Sequence, residues 1–279
     1  DLTMFYYFKT IFLITLLTAM FLFIGKLLAG EVGMYIALGV AMIINFISYY
    51  FSDKIVLSYY NAKEVNSGEI YDIVKEVAFR ANIPTPKVYI IEEDQPNAFA
   101  TGRNPHHSAV AITTGLINLL NYDEIRGVIA HEIAHIKNRD ILISTIAAGI
   151  ASAISFIIDI FQWTFFFRRD NENNNINIFS YLLILILGPI IALIIQMAVS
   201  RTREYLADQT GAKIINDPIS LAKALEKLHY YASNIPLYKQ NLAFNHLFIV
   251  NPQSLLNLFS THPPIEERIK RLYKLANNR

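Results

Sequence analysis

Four long apolar runs constrain this chain more than any other feature. They are TIFLITLLTAMFLFIGKLLAG (Thr10 to Gly30), GMYIALGVAMIINFISYYFS (Gly33 to Ser52), ILISTIAAGIASAISFIIDIFQWTFFF (Ile141 to Phe167) and FSYLLILILGPIIALIIQMAVS (Phe179 to Ser200). The second and fourth carry no charge, and the others carry one each, Lys26 and Asp159. A bilayer core is crossed by about 20 mostly apolar residues in a helix. The sequence therefore predicts an α-helical integral membrane protein with four spans. The balance of 53% hydrophobic against 17% charged residues fits that reading better than a soluble core. The first run is too long for a cleavable leader, and a second span follows at once. Asp159 is a candidate functional group, or one paired with a polar group in a neighbouring span. Pro189 predicts a kink in the fourth span.

The polar remainder falls into two segments, 53–140 and 201–279. The chain crosses the membrane twice between them, so both emerge on one face and are expected to build one domain. Residues 10–52 form the first transmembrane hairpin, and 141–200 form a second that interrupts this domain. Lys and Arg near the span ends set orientation. Nine of them (Lys9, Lys54, Lys63, Arg126, Lys137, Arg139, Arg201, Arg203, Lys213) lie on the side of the polar segments, and three (Lys26, Arg168, Arg169) on the other. That asymmetry predicts a multi-pass protein of the cytoplasmic (inner) membrane with its polar domain facing the cytoplasm. A net charge of +1 points to no nucleic-acid partner. The absence of cysteine excludes disulfides and thiolate metal sites, leaving His, Asp and Glu as ligands.

Within the polar segments YDIVKEVAFRANI reads as an amphipathic helix, with Ile73, Val74, Val77 and Ala78 on one face. KVYIIEE, NAFATG and SAVAITTG read as strands, the last alternating at Val110, Ile112 and Thr114. NYDEIRGVIAHEIAHIKNR reads as a helix that opens with Asn121 as N-cap and Glu124 three residues later, a capping-box pattern. Three further helices are expected in REYLADQTGAKII, ISLAKALEKLHYYAS and PIEERIKRLYKLA.

The chemistry sits in VIAHEIAHIKNRD, residues 128–140. His131 and His135 are four apart, so a helix stacks their imidazoles on one face, the spacing of two ligands in a tetrahedral Zn²⁺ site. Glu132 lies about 100° around the helix from His131. From there it can reach a zinc-activated water as general base without being a ligand. A catalytic zinc needs a third protein ligand, and SRTREYLADQTGA supplies Glu204 and Asp208, again four apart. Glu204 is the better ligand, with Asp208 placed to hydrogen-bond a ligating imidazole; the two roles can be exchanged. His135 lies six residues before the third span and Glu204 four after the fourth, so both sit near the same membrane surface. An exposed edge strand can pair with an extended peptide backbone, and Asn97 and Phe99 of QPNAFATG are candidates for lining such an edge. His262 in STHPP is a candidate for stabilising the oxyanion, or a surface residue. His106 and His107 are adjacent and read as solvated.

AHEIAHIKNRD together with SRTREYLAD resembles the HtpX-type membrane zinc endopeptidases, relatives of the CAAX prenyl endopeptidases. NAFATG, STHPPIEERI and the four spans are similar too, so the resemblance covers nearly the whole chain. It implies an α+β, gluzincin-like zinc metalloprotease domain, Zn²⁺ on His131, His135 and Glu204, and Glu132 as the general base. It also implies work in membrane-protein quality control and stress response, with protein substrates drawn from the bilayer. Two rivals remain at this point: a prenyl-protein endopeptidase, and a non-catalytic membrane protein that binds zinc structurally or transports it.

Overall fold

The computed structural model describes residues 2–146, 201–234 and 263–277. The expectations for the third and fourth spans beyond residue 146, and for Asp159, Pro189 and His262, fall outside these residues.

Helix α1 (Leu2–Tyr59) doubles back on itself at Gly30, whose φ of 60° lies in the left-handed region. The amide of Asn45 donates to Thr18 Oγ1 at 3.0 Å across 27 residues of sequence. A straight helix would hold those residues about 40 Å apart. A Cβ at Gly25 would collide with the Gly33 backbone, so the two limbs pack closely below the bend. The second limb contains Gly30–Phe51, which among the described residues is the one stretch long and apolar enough to cross a membrane. Its outer face exposes Tyr35, Ile36, Met42, Ile43 and Phe46, side chains that a soluble protein would cover. The first limb holds a shorter apolar helix, Ile14–Phe23.

Four strands follow: β1 (Lys63–Val65), β2 (Lys87–Ile91), β3 (Ala98–Asn104) and β4 (His107–Thr113). They form one mixed sheet in the order β1-β2-β4-β3, with β2 and β4 parallel and the other pairs antiparallel. Strand β3 is thus an edge. Helix α2 (Glu69–Ala81) joins β1 to β2, and its apolar stripe of Ile73, Val74, Val77 and Ala78 is buried as the periodicity predicts. Helix α3 (Thr114–Leu119) begins where β4 ends, capped by Thr113 through the Leu116 N–H. Thr114 therefore starts a helix rather than continuing a strand. Helix α4 (Tyr122–Lys137) opens with the predicted capping box: Asn121 Oδ1 accepts the Glu124 N–H at 2.9 Å, and Glu124 Oε2 accepts the Asn121 N–H at 2.9 Å.

Helices α5 (Arg201–Ile215), α6 (Pro218–Asn234) and α7 (Ile265–Asn277) come from the second polar segment. They pack with α2 and α4 on one face of the sheet, where Val110, Ile112, Ile129, Ile133 and Leu225 share one core. The other face is covered by the end of α1, where Val56 and Leu57 meet Ile91, Phe99, Ala109 and Ala111. For that reason β4 is buried on both faces, and the half-solvated alternation expected of it is not observed.

Candidate active site

Almost every residue of α4 from Gly127 to Ile136 is buried, His131 and Glu132 included. That is unusual for such polar side chains and demands partners. Each imidazole has a carboxylate behind it. His131 Nδ1 lies 2.9 Å from Asp208 Oδ1, and His135 Nδ1 lies 3.0 Å from Asp140 Oδ2. A carboxylate at Nδ1 holds the proton there and turns the bare Nε2 lone pair forward. The two Nε2 atoms face each other at 3.1 Å. Two lone pairs so close repel each other unless a cation lies between them.

Glu204 closes the third side. Its Oε2 is 3.7 Å from His131 Nε2 and its Oε1 is 3.6 Å from His135 Nε2. The ligand atoms of His131, His135 and Glu204 all lie within 4.8 Å of one another. Two imidazole nitrogens and one carboxylate at these separations suit a tetrahedral divalent ion with a fourth, open position. Asp208 faces the Nδ1 side of His131 instead, so the geometry distinguishes two carboxylates that the sequence left exchangeable.

Charge tells the same story. Burial disfavours a proton on His135, yet Asp140 and Glu204 reverse that effect and raise its pKa to about 10. The position strongly demands positive charge. Burial lifts the Glu132 carboxyl above the usual carboxylate range, against the opposing pull of the two imidazoles. One of its oxygens, Oε2, accepts the backbone N–H of Ala100 on the edge strand at 2.8 Å. Glu132 therefore links the metal-binding helix to β3.

Why α5 reaches α4 is legible in one glycine. Glu204, Asp208 and Gly211 occupy positions i, i+4 and i+7 of α5, one face of the helix. A Cβ at Gly211 would lie 2.9 Å from the backbone of Ala130 and His131. Only glycine lets the two helices approach closely enough for both carboxylates to meet the imidazoles. Gly211→Ala is expected to push the helices apart, costing about 1–3 kcal/mol and lowering the apparent Tm by about 3–10 °C. Thermal melting beside a metal assay checks it, and an unchanged melt with full metal content would refute the spacing argument.

Two residues of this cluster escaped the reading of the sequence. Asp140 ends the first polar segment and looks like a surface charge. It reaches His135 because Arg139 adopts a left-handed conformation (φ 61°) at the end of α4, and the Asp140 N–H returns to the His135 carbonyl. Arg268 sits in α7, a helix rich in charge, yet it is 1% exposed. Its Nε and Nη2 donate to Asp208 Oδ2 and Oδ1 at 2.8 and 2.7 Å, and Nη1 lies 3.4 Å from Glu204 Oε2. Burial raises the Asp208 carboxyl, but Arg268 outweighs it and leaves that pKa at about 2. The other candidates scatter. Asn97 is buried just ahead of β3, its backbone paired with Thr113. The Phe99 side chain points away from the metal-binding face, into the cluster with Val56 and Leu57, and packs 5.9 Å from the Tyr60 ring. It fills core and does not line an open groove. His106 and His107 are exposed.

Comparison with known proteins fits this geometry. The model for peptidase family M48 matches residues 64–276. The chain belongs to peptidase family M48. Its M48 relatives include the "Protease HtpX homolog" of Persephonella marina, 50% identical over 278 residues that cover 96% of each chain. That of Thermodesulfovibrio yellowstonii is 51% identical over 276 residues, 96% of this chain and 98% of the relative. The crystal structure of S. mikatae Ste24p shares the fold at a TM-score of 0.52 and 18% identity, covering 97% of this chain and 66% of the other. As a member of M48 the protein is a metalloprotease, and its His–His–Glu cluster is where the described residues can gather a metal.

Proposed function

We propose that this M48 peptidase is a zinc-dependent endopeptidase of the cytoplasmic membrane, cutting membrane or misfolded proteins at the cytoplasmic surface. The observation that carries the reading is the pair of Nε2 atoms 3.1 Å apart with Glu204 facing both. His131, His135 and Glu204 hold the ion, and Asp208 and Asp140 fix the two imidazoles. Bound there, zinc would supply a Lewis acid for the scissile carbonyl and for the attacking water.

Glu132 acts as the general base. With Oε2 held by Ala100, Oε1 is the oxygen that takes the proton from the water and returns it to the leaving amine. Burial raises its pKa, which makes the carboxylate a stronger proton acceptor. The outer edge of β3 around Asn97 to Ala100 receives the substrate backbone as an added strand. His262 remains the candidate oxyanion donor.

Four spans and the cytoplasmic orientation rest on the apolar runs and on the nine-to-three bias of Lys and Arg. The bent α1 with its exposed apolar limb supports the first hairpin, 10–52. The packing of α5 and α7 on α4 supports one domain from 53–140 and 201–279. Membrane-protein quality control is the role proposed for this placement.

The test is metal content beside cleavage. Purified wild type is expected to carry about one zinc per chain and to cut casein. A chelator should abolish cutting, and added Zn²⁺ should restore it. Glu204→Gln should lose at least about tenfold in zinc affinity and most activity. Full zinc occupancy in Glu204→Gln would remove Glu204 from the ligand set.

A further inference from the structure

A cavity of about 280 Å³ lies away from the metal site, at the end of the Gly30–Phe51 stretch. Its walls are Tyr49, Tyr50, Phe51 and Lys54 of α1, Gly102 and Arg103 at the end of β3, and His107 across the hairpin. Two cations reach it along aromatic rings. The Arg103 guanidinium lies 5.0 Å from the Tyr50 ring centroid, and Lys54 Nζ lies 5.4 Å from that of Phe51. Among the described residues, neither Arg103 nor Lys54 forms an ion pair with a carboxylate, although Asp53 also borders the cavity. Their partners there are π faces, which orient a cation without neutralising it.

We propose that this cavity binds the headgroup of an anionic phospholipid, with Arg103 and Lys54 on the phosphate; the inference rests on the membrane reading of the chain. Three features converge. Among the described residues the two cations form no ion pair, and a guanidinium fork matches a phosphate. Aromatic residues with hydroxyls cluster where an apolar helix ends, at the depth where headgroups lie. The apolar outer face of the same helix, with Met42, Ile43 and Phe46 exposed, leads away from the cavity and gives acyl chains a surface to follow. A soluble anion would use the first feature only.

The cavity also touches the catalytic strand. The Gly102 N–H donates to Thr145 Oγ1 at 3.1 Å, and Gly102 has a φ of 133° and no room for a Cβ against the His107 carbonyl. The hairpin carrying Arg103 is thus tightly fixed. Two residues upstream of Gly102, Ala100 holds Glu132. A lipid phosphate on Arg103 would tether the far end of the edge strand to the membrane surface.

The experiment uses the full chain, delipidated in a neutral detergent and titrated with phosphatidylglycerol or phosphatidylcholine, with binding read by native mass spectrometry. Wild type is expected to bind phosphatidylglycerol in preference to phosphatidylcholine. The double variant Arg103→Gln/Lys54→Gln should bind it about thirtyfold more weakly, as expected for two surface cations. Arg103→Lys, which keeps the charge but not the fork, should recover only part of the affinity. Lys54→Gln alone, at an exposed position, serves if the double variant does not fold, and should lose about fivefold. Equal binding by wild type and either Gln variant overturns the proposal. So does equal binding of the two lipids, and displacement by millimolar glycerol phosphate would assign the site to a soluble phosphate instead. Carbonate extraction of the expressed protein separates the two readings. Release from membranes would sink the membrane reading itself, whereas retention with unselective lipid binding sinks only the headgroup site.

Discussion

Glu132→Gln is expected to leave the protein folded and metal-loaded while its peptidase activity falls by at least about a thousandfold, within the range for a lost general base. Glutamine keeps the size of the side chain, and its amide oxygen can still accept the Ala100 N–H that Glu132 Oε2 accepts at 2.8 Å. What disappears is the site for a proton. The buried carboxylate, whose pKa burial already lifts, can take a proton from water and give it back, and an amide cannot. Glu132 is absent from the cluster of metal-ligating atoms, so zinc content should match wild type. The variant should also be no less stable, because an amide costs less to bury than a carboxylate. The measurement is zinc per chain, apparent Tm and casein cleavage on the same preparation. Loss of zinc would make Glu132 a ligand. Retention of more than a tenth of the activity would remove it as the base.

The parts of this site that are local in sequence were legible in it. The HEIAH spacing and the capping box at Asn121 are properties of a single helix, where i, i+3 and i+4 relations are fixed by the 3.6-residue period. The burial of α2 followed its apolar stripe for the same reason. What escaped depends on where separate elements meet. Asp140 became a partner of His135 only through a left-handed turn at Arg139, which no periodicity announces. Arg268 stands 60 residues from Asp208 in a helix whose sequence, EERIKR, reads as solvated charge. Phe99 packs beneath the end of α1, which covers the sheet's second face, and no local pattern in QPNAFATG announces that contact. Gly211 matters because the backbone of Ala130, on a different helix, lies against it, a contact its own sequence does not encode.

Arg268→Met is expected to be the most destabilising single change in the domain. The guanidinium is 1% exposed and makes two charge-assisted bonds to Asp208 while flanking Glu204. Methionine fills much of the same volume but leaves the buried Asp208 carboxylate without its cationic partner, a loss of about 3–5 kcal/mol. For a chain of this size that corresponds to an apparent Tm lower by about 6–20 °C. Zinc affinity should fall as well, by about tenfold or more, because Asp208 then no longer holds His131 Nδ1 in place. Lysine keeps the charge but not the fork, so Arg268→Lys should recover part of the stability and less of the metal affinity. The double variant Asp208→Asn/Arg268→Met decides whether the pair acts as a unit. If it does, the double variant is less damaged than the sum of the singles, because removing the buried acid relieves the charge that Arg268→Met strands. Strict additivity would mean that Arg268 stabilises the domain by packing alone. Coupling would mean that the C-terminal helix α7 is fastened to the metal centre through one buried side chain, so that a helix far away in sequence governs how firmly the first histidine of HEIAH is held.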